Sequence, residues 1–160
     1  MGGSRFWLWD FLQRVWVLLA FQFSVLLGVP KKAILLRVKT KIIKFLSLWL
    51  PVALWAALIF KFSSGIVPIA SQIYWQDFAV KKIGHFLLFG VLAVLIYRGL
   101  IGQGLSRKEA TIWAVVTAFL YGATDEFHQM FTQGREARIR DVFIDGIGAS
   151  FFTFLTDKFV

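Results

Sequence analysis

Cysteine and asparagine are both missing from the 160 residues. Without cysteine there is no disulfide, no thiolate metal site and no thiol nucleophile, and the redox compartment leaves no mark on the sequence. The lack of asparagine fits a heat-adapted or compositionally biased protein, because thermolabile amides are residues such proteins shed. Charge is also scarce. Only 17% of residues are charged and 58% are hydrophobic, with a mean hydropathy of +0.70. A soluble domain usually carries about 25% charged and about 45–50% apolar residues, so an ordinary soluble domain is excluded.

Acids are the scarcer sign, nine against eighteen Lys and Arg, for a net charge of +9. The cations lie between hydrophobic runs rather than on a polar domain, and no DNA- or RNA-binding motif accompanies them. Anchoring to anionic headgroups accounts for them, and nucleic acid does not. What is abundant is large and apolar: eighteen Phe and seven Trp, side chains that suit lipid and its boundary with water. One compact unit is expected at this length. The composition is that of an integral membrane protein.

A bilayer-crossing helix needs about 20 mostly apolar residues. Residues 43–60, 83–101, 110–128 and 141–157 each approach that requirement. Pro51 inside the first is tolerable, because a neighbouring helix can satisfy the carbonyl it frees. The expected fold is therefore all-α, an integral membrane four-helix bundle over residues 43–160. Residues 1–42 form an N-terminal segment ending in a basic linker. Within it, Asp10, Gln13 and Arg14 share one face of residues 6–29 at helical spacing, as in an amphipathic helix lying in the interface. Residues 15–29 carry few polar groups, so a short extra membrane helix is the alternative. A cleaved signal peptide fits poorly, since acids occur early and no small-residue cleavage site follows.

Orientation follows from the cations. Lys31, Lys32, Arg37, Lys39, Lys41, Lys44, Arg98, Arg107, Lys108 and Lys158 fall on one side of a four-span layout. Lys61, Lys81, Lys82, Arg135, Arg138 and Arg140 fall on the other. The excess places residues 30–44 and the C-terminus in the cytoplasm of a multi-pass cell-membrane protein.

The same layout brings four polar ends to the outer side: "KFSSG" (61–65), "KKIGH" (81–85), "DEFHQ" (125–129) and "REARIRD" (135–141). Asp125, His128 and Gln129 share a helix face with Glu126 at its edge, and Asp141, Asp145 and Gly148 share another. Lys81, Lys82 and His85 cluster in the same way. Ionisable groups at membrane depth cost roughly 3 kcal/mol each, so they turn inward and pair. One outward-facing polar pocket results.

These residues also carry a resemblance. "KKIGHFLLFGVLA", "YGATDEFHQMF" and "GREARIRDVFIDGIGAS" resemble the VanZ-like family of small bacterial membrane proteins, over roughly residues 45–155. The family's pattern falls on Lys82, His85, Asp125, Glu126, His128, Gln129, Arg135 and Asp141. This chain departs from it at Arg138, where serine is usual, at Asp145, where asparagine is usual, and at Phe89, where an aromatic hydroxyl is often found. The resemblance suggests an Arg138–Asp145 charge pair in place of a neutral one. The family is named for a member linked to teicoplanin resistance, so it implies a cell-envelope, glycopeptide-related role.

Three chemistries suit the pocket. Lys82, His85, Gln129, Arg135 and Asp141 can bind an anionic headgroup or lipid-linked cell-wall precursor, with arginine gripping phosphate or carboxylate bidentately. Glu126 or Asp125 beside His128, with His85, can act as base and orienter on a lipid phosphoester. His85, Asp125, Glu126 and His128 carry nitrogen and oxygen donors for zinc or manganese. No HExxH or comparable spacing supports that, and no metal site is assigned. The motifs specify no cofactor and no oligomeric state. A structural ion-pair network of Glu126, Arg135 and Asp141 is the plain alternative. Ser63 and Ser64 read as helix-end residues rather than nucleophiles.

Overall fold

The computed structural model describes residue 15 and residues 30–65, 74–132 and 138–159. The expected helix at 6–29 lies outside the described residues apart from Val15. Contacts divide the chain into Met1–Lys44 and Phe45–Val160. Among the described residues four helices are delimited and no strand occurs: α1 (Lys31–Ser64), α2 (Tyr74–Gly102), α3 (Arg107–Gln129) and α4 (Ile139–Phe159). They contain all four apolar segments read from the sequence. Two of them, over Lys32–Ser64 and Phe78–Gly102, are long and apolar enough to cross a membrane.

The basic run before the first apolar segment is itself helical from Lys31. Lys, Arg, Leu, Ile and Ala favour helix, and no Gly or Pro interrupts residues 31–44. Pro51 sits inside α1 without ending it. Proline removes the N–H that would bond the carbonyl four residues back, here that of Ser47. Arg98 of α2 donates to that carbonyl at 3.5 Å.

The turn from α2 to α3 is written locally. Gly104 has φ +98°, the Leu105 N–H bonds the Leu100 carbonyl and the Gly104 N–H bonds that of Ile101. This is a Schellman motif, which needs a residue in the left-handed region where glycine is favoured. Ser106 then caps α3 in a capping box: its hydroxyl accepts from the Glu109 N–H, and the Glu109 carboxylate accepts from the Ser106 N–H.

Within Phe45–Val160 the helices approach through small residues. α3 buries Ala110, Ala114, Ala118 and Gly122, a four-residue repeat that lets backbones come close. Gly148 of α4 lies directly against the Phe86 backbone of α2, and Gly90 of α2 against the Phe152 ring. α1 docks on α2 through Trp49 against Gly99 and through the Trp55 indole, which donates to the Leu88 carbonyl at 2.9 Å. Tyr121 of α3 donates to the Ala56 carbonyl of α1 at 2.7 Å. Ile59, Phe89, Leu92, Ala93, Ile96 and Ala149 fill the core.

α4 is inverted relative to a helix of a water-soluble protein. Its buried residues are Asp141, Val142, Asp145, Gly148, Ala149 and Thr153. Phe143, Ile147, Phe151 and Phe154 are exposed.

Candidate functional site

The buried stripe of α3 runs from alanine into carboxylates. After Ala118 and Gly122 the next buried positions are Asp125, Glu126 and Gln129, the same face continued at i, i+3 and i+4. Three other segments meet them. The Asp125 Oδ2 accepts from the Ser63 hydroxyl of α1 at 2.7 Å and from the Gln129 amide at 2.8 Å. The Glu126 Oε2 accepts from the Arg138 N–H, just before α4, at 2.9 Å. Lys82 of α2 donates to Asp141 of α4. The His85 Nδ1 lies 3.2 Å from the Asp145 Oδ1, and the His85 ring stacks on Phe89, with centroids 6.1 Å apart. His128 contacts the Ser64 hydroxyl at 3.0 Å and the Phe60 ring at 4.6 Å between centroids.

Two zones emerge. At the rim, Lys82 and Arg140 both sit over the Phe78 ring, at 5.4 and 5.0 Å from its centroid. Arg140 Nε is 3.7 Å from Asp141 Oδ1, and its side chain is 51% exposed. Two cations thus share one ring and one carboxylate. The interior zone is acidic. Asp125, Glu126 and Asp145 are all buried, and the donor atoms of His85, Glu126 and Asp145 lie within 4.8 Å of one another. Asp145 fits because residue 122 is glycine: a Cβ there would stand 3.1 Å from its Oδ2.

Of the residues singled out in the sequence, Lys82, His85, Asp125, Glu126, Gln129 and Asp141 belong to this cluster, while His128 contacts Ser64 and Phe60 of α1 instead. Arg135 lies outside the described residues. The carboxylate that reaches an imidazole is Asp145 on His85, while Asp125 and Glu126 are bonded by Ser63, Gln129 and the Arg138 main chain. Asp145 therefore takes its hydrogen bond from His85 and not from Arg138, as the resemblance had suggested. Ser63, read as a helix-end residue, belongs to the cluster through Asp125. Its signal was position alone, one residue before the end of α1.

The profile of the VanZ/LLP1 family matches residues 15–157. The chain belongs to the VanZ/LLP1 family. Comparisons with curated proteins and with solved structures find no match. In this VanZ/LLP1 chain Lys82, His85, Asp125, Glu126, Gln129 and Asp141 lie at one end of the described helices, joined there by Ser63, Asp145 and the Arg138 main chain. The far ends of the helices hold a different arrangement: Tyr97 donates to Asp157 at 2.7 Å, and Arg107 to the Asp157 carbonyl at 3.3 Å.

Proposed function

We propose that this VanZ/LLP1 protein crosses the cell membrane four times and binds an anionic, lipid-linked or glycopeptide-related envelope ligand at an outward-facing polar end. The inverted α4 supports the membrane setting, since large apolar residues outside and polar ones inside suit a lipid surround. The cation excess on residues 30–44 and at the far ends supports a cytoplasmic N-terminal linker and C-terminus.

The observation that carries the ligand reading is the rim pair, Lys82 and Arg140 over Phe78 with Asp141 between them. Two cations held beside one carboxylate leave a net positive charge facing out, and an exposed guanidinium suits phosphate or carboxylate. Asp141 positions the cations, and Arg135 and Gln129 complete the binding set. By family membership the role extends to glycopeptide resistance, read out as the teicoplanin susceptibility of a host expressing the chain.

In nanodiscs containing a polyprenyl phosphate, Arg140→Ala lowers affinity about tenfold or more, the scale of one charge-assisted hydrogen bond, and leaves the melting temperature unchanged. Unchanged affinity overturns the reading. The buried His85–Asp145 pair beside Glu126 favours a second reading, a hydrolase or transferase acting on a lipid phosphate headgroup. Phosphate released by wild type and abolished by Glu126→Gln would decide for it.

A further inference from the structure

We infer that His85, Glu126 and Asp145 form a site for one divalent metal ion of the zinc or manganese class. Each residue offers one donor atom, and the three atoms lie within 4.8 Å of one another. They come from α2, α3 and α4, so packing assembles the set, and no short ligand-spacing motif announces it. Metal bonds to imidazole nitrogen and carboxylate oxygen run about 2.0–2.2 Å, so donors on one tetrahedral ion stand about 3.4 Å apart. Movement of up to about 1 Å at each side-chain tip closes the difference. One nitrogen and two carboxylates with no sulfur match zinc or manganese rather than a soft ion such as Cu(I).

A second observation points to a cation. Glu126 is 5% exposed and Asp145 is 0% exposed. Among the described residues, Glu126 Oε1 and Asp145 Oδ2 have no hydrogen-bond partner. A buried carboxylate oxygen without a donor is costly, and more so for a charged group. Charge balance points the same way. His85 lies within electrostatic reach of Asp145, Asp125 and Glu126, while Lys82 and Arg140 are engaged with Asp141. Asp125, Glu126 and Asp145 thus all face the imidazole of His85. A dication offsets two of those three charges and ties three helices together. Protons on the acids would relieve the same imbalance without a metal, which is the rival the experiment separates. The site does not rest on the anionic-ligand reading, because its ligands are interior and the rim pair is not among them.

The test uses the full chain, purified in a nonionic, phosphate-free detergent with any affinity tag cleaved. The protein is stripped with EDTA, exposed to Zn²⁺ or Mn²⁺, freed of unbound ion and analysed by mass spectrometry of the metal. The expected result is one ion per chain, with affinity lowered about tenfold or more by Glu126→Gln and by Asp145→Asn. In the Mn²⁺-loaded chain, pulsed electron paramagnetic resonance shows coupling to an imidazole nitrogen that survives His128→Ala. Metal binding that is absent, or indifferent to both carboxylate substitutions, overturns the site. Should those variants fail to fold, the wild-type spectrum decides: bound manganese without nitrogen coupling overturns it. Failure here leaves the Arg140 lipid measurement untouched, since no lipid phosphate is present.

Discussion

Replacing Gly148 with alanine tests the packing that creates the polar cluster. A Cβ at residue 148 would stand 2.3 Å from the Phe86 carbonyl oxygen and 3.0 Å from its carbon and Cα. All three are backbone atoms of α2, so no side chain can rotate away. Restoring ordinary contact moves the helices apart by about 1 Å, a displacement a close-packed interface resists. The same movement stretches the His85–Asp145 contact, already 3.2 Å, past hydrogen-bonding range. Overpacking of this kind costs about 1–3 kcal/mol, and the stretched His85–Asp145 contact puts this site at the upper end. For a chain of this size that is roughly 6–12 °C in melting temperature. Gly84 of α2 supplies the control, because a Cβ there meets nothing within 4 Å. Gly84→Ala gains up to about 1 kcal/mol from helix propensity. Thermal unfolding of both variants in one detergent gives the answer. A Gly148→Ala protein melting within a degree of Gly84→Ala would refute the close α2–α4 approach.

Two further perturbations probe the ends of helices. Arg98→Ala leaves the Ser47 carbonyl without its inter-helix donor and costs about 1 kcal/mol. In a Pro51→Ala background, where the backbone bond can re-form, the cost should largely vanish, and a double-mutant cycle without such coupling counts against the assignment. Ser106 holds the Glu109 carboxyl below the usual range, first through its hydroxyl and then through its backbone N–H. A depressed folded-state value means the stabilisation is present above the ordinary Glu range and is lost as pH falls through the folded value. The melting advantage of wild type over Glu109→Gln should therefore be present at neutral pH and fade on acidification. An advantage independent of pH would sink the capping-box account.

Much of the architecture is legible in the sequence because hydropathy and local chemistry each act over short range. The four apolar runs became four helices, and the Gly104–Ser106 turn follows from a glycine in the left-handed region and a capping pair three residues apart. Pro51 was readable as tolerable, though the identity of its rescuer, Arg98, was not, since that contact is 51 residues away. The same limit applies to the cluster. Helical spacing placed Asp125, His128 and Gln129 on one face, and Asp141 with Asp145 on another. Which acid meets which base depends on how the helices pack, so Asp145 on His85 and Ser63 on Asp125 emerged only in three dimensions. Phe89 shows the point in reverse. Its ring, where the family often has a hydroxyl, stacks on His85 and makes one wall of the acidic zone apolar.

That apolar wall bears on why the acids are placed where they are. In a water-soluble bundle, buried carboxylates are an energetic burden relieved by moving them outward, and α4 could do so by turning about half a revolution. Here the turn is blocked. It would carry Phe143, Ile147, Phe151 and Phe154 into the seam where Gly148 meets the Phe86 backbone, a gap with no room for a Cβ. In lipid it would also expose Asp141 and Asp145 to hydrocarbon, at roughly 3 kcal/mol for each charge. Steric fit therefore fixes the rotation of α4 that the proposed membrane setting also favours, with its carboxylates inward beside His85, Lys82 and Glu126. Small residues at positions 122 and 148 are thus as much a part of the site as the charged ones. A substitution that fills either position should disturb the acidic cluster before it disturbs the helices.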